Sequence, residues 1–272
     1  MIVLITGAGG LVASALAPHY ENVVALRHAA MDIVDADAVE RVFDRVGPAL
    51  VINCAVIGVD ACEKDPALAE RVNVDGPANI ARAAARLGAA IVHFSSNYVF
   101  DGHRRRNEPY GIDDVADPIN VYGKTKLAGE RAVLDASGCA FVIRTSWVYG
   151  PGKESFLSTA AAKLRRGERI QAISDTFANT TYVEDLAERV VAVAASGAYG
   201  LHQIVNERVC SYEDFAREAA VIAGVPDRTA RTLIEVVTEA EMNRPAPRPA
   251  CTPMQCTPPM RPWQEALREY CT

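Results

Sequence analysis

A tyrosine and a lysine stand four residues apart in the segment VYGKTKLAGE, at Tyr122 and Lys126. On a helix that spacing puts them one above the other on the same face. A free tyrosine gives up its proton near pH 10, too high for efficient exchange at neutral pH, and a nearby ammonium stabilises the phenolate. Each unit of such a shift corresponds to about 1.4 kcal/mol. The pair is suited to proton transfer. Upstream, AAIVHFSSNYVFDG ends a strand-like run with Ser95 and Ser96, a natural place for a hydroxyl beside a bound carbonyl.

A second chemistry-bearing segment opens the chain. The run IVLIT leads directly into TGAGGLVASALA, so Gly7, Gly10 and Ala13 form a GxxGxxA pattern and Gly9 adds a GxG. Glycine permits the tight turn and lets a pyrophosphate approach the backbone, while Ala13 lets the next helix sit close to the sheet. The phosphates then rest on free N–H groups at the positive end of that helix. At the end of the second strand, where an NAD enzyme offers a carboxylate to the ribose 2′-hydroxyl, the chain reads VVALRHAAMD, with Arg27 and His28. A guanidinium there favours the 2′-phosphate of NADP. NADPH is the expected cofactor, with NADH as the alternative. Asp32 follows too late for the ribose position and is read as touching the adenine or capping a turn.

These residues need a scaffold, and the hydrophobic pattern supplies one. Five short β-rich runs, IVLIT, NVVAL, LVINCAV, AAIVHFSS and AFVIRTS, occupy the first 150 residues. Between them, DADAVERVFDRV, DPALAERVNVDGPANIARAAARLG and NVYGKTKLAGERAVLDAS carry apolar residues at helical spacing. Strands separated in this way need crossover helices, which predicts an α/β, Rossmann-like, doubly wound parallel sheet. After about Gly150 the rhythm is shorter and less regular: FLSTAAAKLRRG, ERIQAI, the polar SDTFANTT, then VEDLAERVVAVAAS and SYEDFAREAAVIAG. A small, interleaved C-terminal substrate-binding domain is expected from residues 151–182 and 201–272, with 183–200 returning to the dinucleotide-binding domain of residues 1–150. The proline-rich NRPAPRPACTPMQCTPPMRPW forbids regular helix, and a last helix over QEALREY closes the chain.

Composition excludes several other functions. The chain has 272 residues, half of them hydrophobic, so it can bury a full core. A net charge of −6 argues against nucleic-acid or anionic-membrane partners, which need a basic face. No membrane-spanning run or signal peptide is evident, so the cytoplasm is the expected site of action. The seven cysteines are scattered without a CxxC pair, which predicts free thiols and no zinc site.

Glycine loop, strand-end serine and YxxxK, in this order, are the signature of the short-chain dehydrogenases. The wider text resembles the dTDP-4-dehydrorhamnose reductase family of the extended short-chain dehydrogenase/reductase superfamily. The resemblance runs through NxA at 53–55, VDACEKDP at 59–66, NVDGPANIARAA at 73–84, SSNYVFDG at 95–102, VYGKTKLAGE at 121–130 and RTSWVYGPG at 144–152. It continues through VEDLA at 183–187, YEDFA at 212–216, RPA at 248–250 and PWQEALREY at 262–270, and so covers nearly the whole chain. It implies reduction of a keto group, at C4, on a nucleotide-activated deoxysugar. Tyr122 would protonate the substrate oxygen, Lys126 would hold the nicotinamide ribose and lower the tyrosine, and Ser96 would hydrogen-bond the same oxygen. Gly7, Gly9, Gly10, Leu11, Arg27, Asp32, Ile33, Cys54 and Ala55 would join Tyr122 and Lys126 around the cofactor. Asn97, Trp147 and Asn179 would meet the substrate, Trp147 being divided between that role and core packing. Asp175 and Thr181, in the same polar stretch as Asn179, are further pocket candidates.

The chain departs from the family at Ser96-Asn97, where threonine and aspartate are usual. Serine keeps the hydroxyl; asparagine removes a carboxylate thought to help hold the sugar. Sugar-nucleotide dehydratases place acids after their threonine, and GDP-fucose synthase carries a cysteine near position 97; this chain has neither, so dehydration and epimerisation are disfavoured. The first helix has no acid, so the magnesium that some relatives hold between subunits is not expected. His93 is read as a satisfied core residue, Arg144 as structural, and Arg104-Arg105-Arg106 as a solvated loop near the sugar side, within reach of a diphosphate. Two other functions remain open: reduction of a different carbonyl in secondary metabolism, or a non-catalytic NADP-binding regulatory subunit like that of eukaryotic methionine adenosyltransferase. A homodimer is compatible with any of these.

Overall fold

A computed structural model describes residues 1–272. The first half runs β1 (Val3–Thr6), α1 (Leu11–Leu16), β2 (Val23–Leu26), α2 (Ala36–Val46), β3 (Leu50–Asn53), α3 (Val59–Lys64), α4 (Pro66–Glu70), α5 (Gly76–Arg86), β4 (Ala90–Ser96), α6 (Val121–Ala136) and β5 (Ala140–Thr145). The second half adds β6 (Val148–Tyr149), α7 (Phe156–Arg165), β7 (Ile170–Ile173), β8 (Phe177–Ala178), β9 (Thr181–Tyr182), α8 (Val183–Ser196), β10 (Gly200–Gln203), α9 (Tyr212–Ile222), α10 (Asp227–Leu233), β11 (Ile234–Val237), β12 (Cys251–Thr252) and α11 (Trp263–Cys271). The five expected strands and their crossovers are present. No helix is long and apolar enough to cross a membrane.

The central sheet is parallel with strand order β10-β5-β4-β3-β1-β2. Successive side chains along a strand point to opposite faces, and each face has its own core. Val3 and Ile5 of β1 join Ala13, Leu16, Leu186 and Val190 of α1 and α8. Leu4, between them, joins Val39, Phe43, Ile80, Ala84 and Val133 of α2, α5 and α6. Strands buried on both faces read as unbroken apolar runs, which is why they were legible. Helix α2 shows how its ends are set: Asp35 accepts the Ala38 N–H at 3.0 Å, and Gly47 ends the helix in the left-handed region at φ 58°.

The sixth strand is a departure from the expected boundary. Gly200–Gln203 pairs with Phe141–Arg144 at the sheet edge, so residues 201–203 belong to the sheet and not to the smaller lobe. The segment GLHQ is only partly buried and carries one large apolar residue, Leu201, so it has no run to reveal it. Helix α8 does return to the larger domain, packing on α1. The smaller lobe has a separate core of Tyr149, Leu157, Leu164, Phe215, Trp263 and Leu267, among others, drawn from α7, α9, α11 and β6. Two short parallel pairs, β6 with β9 and β12 with β8, bind this lobe together. The proline-rich segment stays irregular except for β12, as its prolines require.

Candidate active site

The strand order reverses between β1 and β3, and in open parallel sheets ligands bind outside the C-terminal strand ends at such a point. Here the loops after these two strands touch. Gly7 has φ +68°, and a Cβ on it would stand 2.7 Å from the Cys54 carbonyl carbon and oxygen and 2.8 Å from the Ala55 nitrogen. Only glycine fits both the backbone angle and the space. The Gly10 N–H donates to the Gly7 carbonyl at 3.0 Å, closing the turn. Gly10 then starts α1 with no side-chain cap, leaving its first N–H groups, Leu11 among them, for a ligand.

Gly9, at φ +89°, is exposed, and a Cβ there would stand 3.3 Å from the Arg27 guanidinium. Arg27 thus reaches from the end of β2 back over the glycine loop. Asp32 pairs with His28 at 3.7 Å and accepts the Val34 N–H at 3.0 Å. It caps a turn, one of its two expected roles, and leaves Arg27 uncommitted. Ile33 is a correction: its side chain is in the core, lying where a Cβ on Gly76 would come to 2.5 Å, so only its backbone can serve a ligand. A bare glycine turn, uncapped helix N–H groups and an unpaired guanidinium fit a phosphorylated dinucleotide.

Ser96 ends β4, and Tyr122 is in the first turn of α6. Asn120 caps that helix, accepting the Gly123 N–H at 2.7 Å and donating to the Pro247 carbonyl at 2.8 Å. A Cβ on Gly123 would stand 2.0 Å from the Tyr98 carbonyl, so the helix start is pressed against the chain leaving β4. This contact brings the Ser96 hydroxyl within hydrogen-bond reach of the Tyr122 phenol. Burial pushes Tyr122 up to about 12, against the opposing hydrogen bond from Ser96.

Lys126 is turned elsewhere than its spacing suggests. Its Nζ is 3.5 Å from His93 Nε2, and it does not offset the burial of the tyrosine. Burial pushes Lys126 itself down to about 8, with the Glu130 carboxylate one turn on opposing the change. His93 is fully buried in β4, as expected of a core residue, yet it faces the lysine directly. Glu130 is gripped by the Arg144 guanidinium at 2.9 and 2.7 Å and by the Ser95 hydroxyl. Arg144 is accordingly structural.

Beyond Tyr122 lies an aromatic and charged layer. Tyr98 meets the Tyr122 ring edge-on, centroids 5.9 Å apart. The Arg248 guanidinium is in hydrogen-bond reach of Tyr98 and holds Asp60 through contacts of 2.6 and 2.8 Å. That bond, above all, holds the Asp60 carboxyl down to about 2. Trp147 adopts φ 39°, unusual for a bulky residue, and stacks on Tyr212 at 4.1 Å with its indole Nε1 buried and without a partner. Arg244 pairs with Glu239 at 3.1 Å nearby, and both act on Tyr98 and Tyr212. Asp60, Tyr98, Tyr212, Glu239, Arg244 and Arg248 make up this layer and were not among the expected site residues. The segments VDACEKDP, SSNYVFDG, YEDFA and RPA contained four of them without assigning a role.

Four expected pocket residues are committed elsewhere. Asn97 is 2 % exposed; its Nδ2 donates to Thr252 Oγ1 at 2.6 Å and its Oδ1 accepts from Ser96 at 3.2 Å. It ties the serine to β12 rather than opening onto a ligand. Asn179 is buried and spends its amide on the Asn206 and Arg208 carbonyls and the Met254 N–H, clasping three chain segments. Asp175 accepts the Glu239 N–H at 2.8 Å on the surface, and Thr181 is fully buried in β9. Asn97 and Asn179 are corrected on the same ground: polar groups already satisfied inside the fold are costly to redirect. In the arginine run, Arg104 pairs with Asp114 and Arg106 with Asp214, which leaves Arg105 solvated. No cluster of three or more His, Cys, Asp or Glu side chains could hold a metal ion.

The whole chain, residues 1–272, matches the family model described as the RmlD substrate binding domain. It is 38% identical to a dTDP-4-dehydrorhamnose reductase of Mycolicibacterium smegmatis, over 98% of this chain and 84% of that one. It is 36% identical to a probable dTDP-4,6-dihydroxy-2-methyloxan-3-one 4-ketoreductase of Streptomyces antibioticus, over 98% and 93%. The crystal structure of dTDP-4-dehydrorhamnose reductase from Bacillus anthracis in complex with NADP superposes with a TM-score of 0.90 at 29% identity, covering 99% of this chain and 98% of that one.

Proposed function

The chain belongs to the dTDP-4-dehydrorhamnose reductase family, and on that premise we propose that Ser96, Tyr122 and Lys126 reduce the 4-keto group of a nucleotide-activated deoxysugar. The protein is an NADPH-dependent oxidoreductase of the extended short-chain type. The observation that carries the residue assignment is the meeting of the Ser96 hydroxyl and the Tyr122 phenol at the strand ends, beside a glycine turn shaped for phosphates.

Reduced nicotinamide supplies a hydride to the carbonyl carbon when bound. The chain's own residues handle the oxygen. Tyr122 holds its proton firmly, because burial favours the neutral phenol, and is ready to release it only when negative charge develops on the substrate oxygen. The Ser96 hydroxyl donates to Asn97 Oδ1 and accepts the Tyr98 N–H, each at 3.2 Å, and would turn its one proton from Asn97 to that same oxygen when substrate binds. Lys126 would hold the nicotinamide ribose, its Nζ facing His93 rather than the phenol. Arg27 takes the 2′-phosphate, by a charge-assisted contact that NADH would lack. Tyr98, Trp147 and Tyr212 offer ring faces to the sugar, and Arg244 and Arg248 give positive charge near a diphosphate.

We place the reaction in the cytoplasm, in keeping with seven cysteines that are all free. The test is oxidation of NADPH by the purified protein with a dTDP-4-keto-6-deoxysugar. Substrate-dependent oxidation that disappears in Tyr122→Phe supports the assignment; no turnover with any keto-sugar nucleotide overturns it.

A further inference from the structure

Three neighbouring strands place Thr6, Asn53 and His93 in one row across the sheet: Thr6 is in register with Asn53, and Asn53 with His93. Their side chains are joined. Asn53 Oδ1 accepts from the Thr6 hydroxyl at 2.6 Å and from the Ala55 N–H at 3.2 Å. Two donors on one oxygen, one of them a backbone N–H that cannot reverse, settle which end of the amide is which. The Asn53 NH2 therefore faces His93 Nδ1, at 3.1 Å.

An NH2 can only donate, so His93 Nδ1 must accept and carries no proton. A neutral imidazole then has its proton on Nε2, the nitrogen 3.5 Å from Lys126 Nζ. We infer that Thr6, Asn53 and His93 form a positioning row that presents an imidazole N–H, rather than a lone pair, to Lys126. The row rests on the reading of Lys126 as a functional lysine, but its geometry does not depend on that reading.

The consequence is electrostatic. An N–H aimed at an ammonium is repulsive, whereas the same N–H is a good donor to a neutral amine. The row works with burial to make Lys126 shed its proton more readily than an ordinary lysine. The remaining groups facing Lys126 are Glu130 on its own helix, Cys62 on α3 and Cys54 after β3. Glu130 favours the ammonium but is already engaged by Arg144, and burial pushes the Cys54 and Cys62 thiols up, so both stay neutral. His93 is held neutral by burial first and by Lys126 second. A lysine balanced between amine and ammonium can restore a proton to the site after each turnover; one locked as ammonium cannot.

The row has a specific weak point. In Asn53→Asp, a carboxylate at position 53 accepts from Nδ1–H, which moves the proton off Nε2 and turns a lone pair toward Lys126. The experiment is long-range 1H–15N NMR of the five histidines in the full-length labelled protein, with the Lys126 side chain followed through a pH titration. The wild type should show one histidine that does not titrate and is protonated at Nε2. In Asn53→Asp the tautomer should invert and the Lys126 midpoint should rise by about one pH unit or more. His93→Gln, which can turn its carbonyl to the lysine, should raise the midpoint in the same direction if the aspartate variant does not fold. A wild-type His93 protonated at Nδ1 overturns the inference, as does a Lys126 midpoint unmoved in both variants. None of these readouts requires turnover, so a failed ketoreductase assay leaves them intact.

Discussion

The Arg27 guanidinium lies 3.3 Å from the point where a side chain on Gly9 would begin, although the two residues belong to loops after different strands. The glycine loop and the group expected to choose between NADP and NAD are therefore one surface. Arg27→Ala should raise the KM for NADPH about 10- to 100-fold, the worth of a charge-assisted contact, and leave the KM for NADH nearly unchanged. Steady-state kinetics with both cofactors checks this; equal losses would show that Arg27 does not read the 2′-phosphate.

The proposed mechanism has Tyr122 and Ser96 act on one oxygen, so substitutions of the two should not be additive. Tyr122→Phe should lower kcat by about 10²- to 10⁴-fold with the thermal unfolding midpoint nearly unchanged. Adding Ser96→Ala to it should cost much less than Ser96→Ala does alone. Fully additive losses in the double variant would separate the two roles.

Gly7→Ala meets backbone at 2.7 Å with φ +68°. It should lose about 1–3 kcal/mol of stability along with most NADPH affinity. Gly138, with nothing within 4 Å of its Cβ position, is the control. Gly138→Ala should change stability by no more than about 0.5 kcal/mol. Thermal unfolding and a fluorescence titration with NADPH measure the pair.

Restoring the family's aspartate tests what Asn97 does. Asn97→Asp puts a carboxylate into a site that is 2 % exposed, where burial raises its pKa above the unfolded value. The cost is therefore absent below the unfolded pKa and grows as pH rises through the folded one. Urea denaturation should find the variant close to wild type near pH 4 and least stable near pH 8. A deficit independent of pH would mean that the lost Thr252 contact, not the charge, is responsible.

Lys126 makes the opposite signature. Its folded value of about 8 is below the ordinary 10.5, so between these the unfolded chain binds more protons and this group's contribution to stability rises with pH. Below about 8 the folded state bears the full cost of a buried ammonium, on the order of 3 kcal/mol. The stability of Lys126→Met relative to wild type should therefore be greater at pH 7 than at pH 10, by urea denaturation at both. A difference that does not vary with pH would show that Lys126 is not destabilised as an ammonium.

What the sequence determined by itself was whatever follows from local pattern. Doubly buried strands are continuous apolar runs, so β1 to β5 were legible; the glycine turn, Arg27 and the Tyr122–Lys126 spacing are each set within a few residues of chain. Strand β10 escaped because an edge strand of four residues, three of them half-buried, needs no apolar run. Tertiary structure alone decided which polar groups are free. Asn97 and Asn179 look like pocket residues in one dimension, but their amides are consumed by partners 155 and 27 residues away. His93 looks like core, but register across three strands and the packing of α6 turn it to the lysine. Hydrogen-bond satisfaction is a property of what surrounds a side chain, and that environment is assembled from segments remote in sequence.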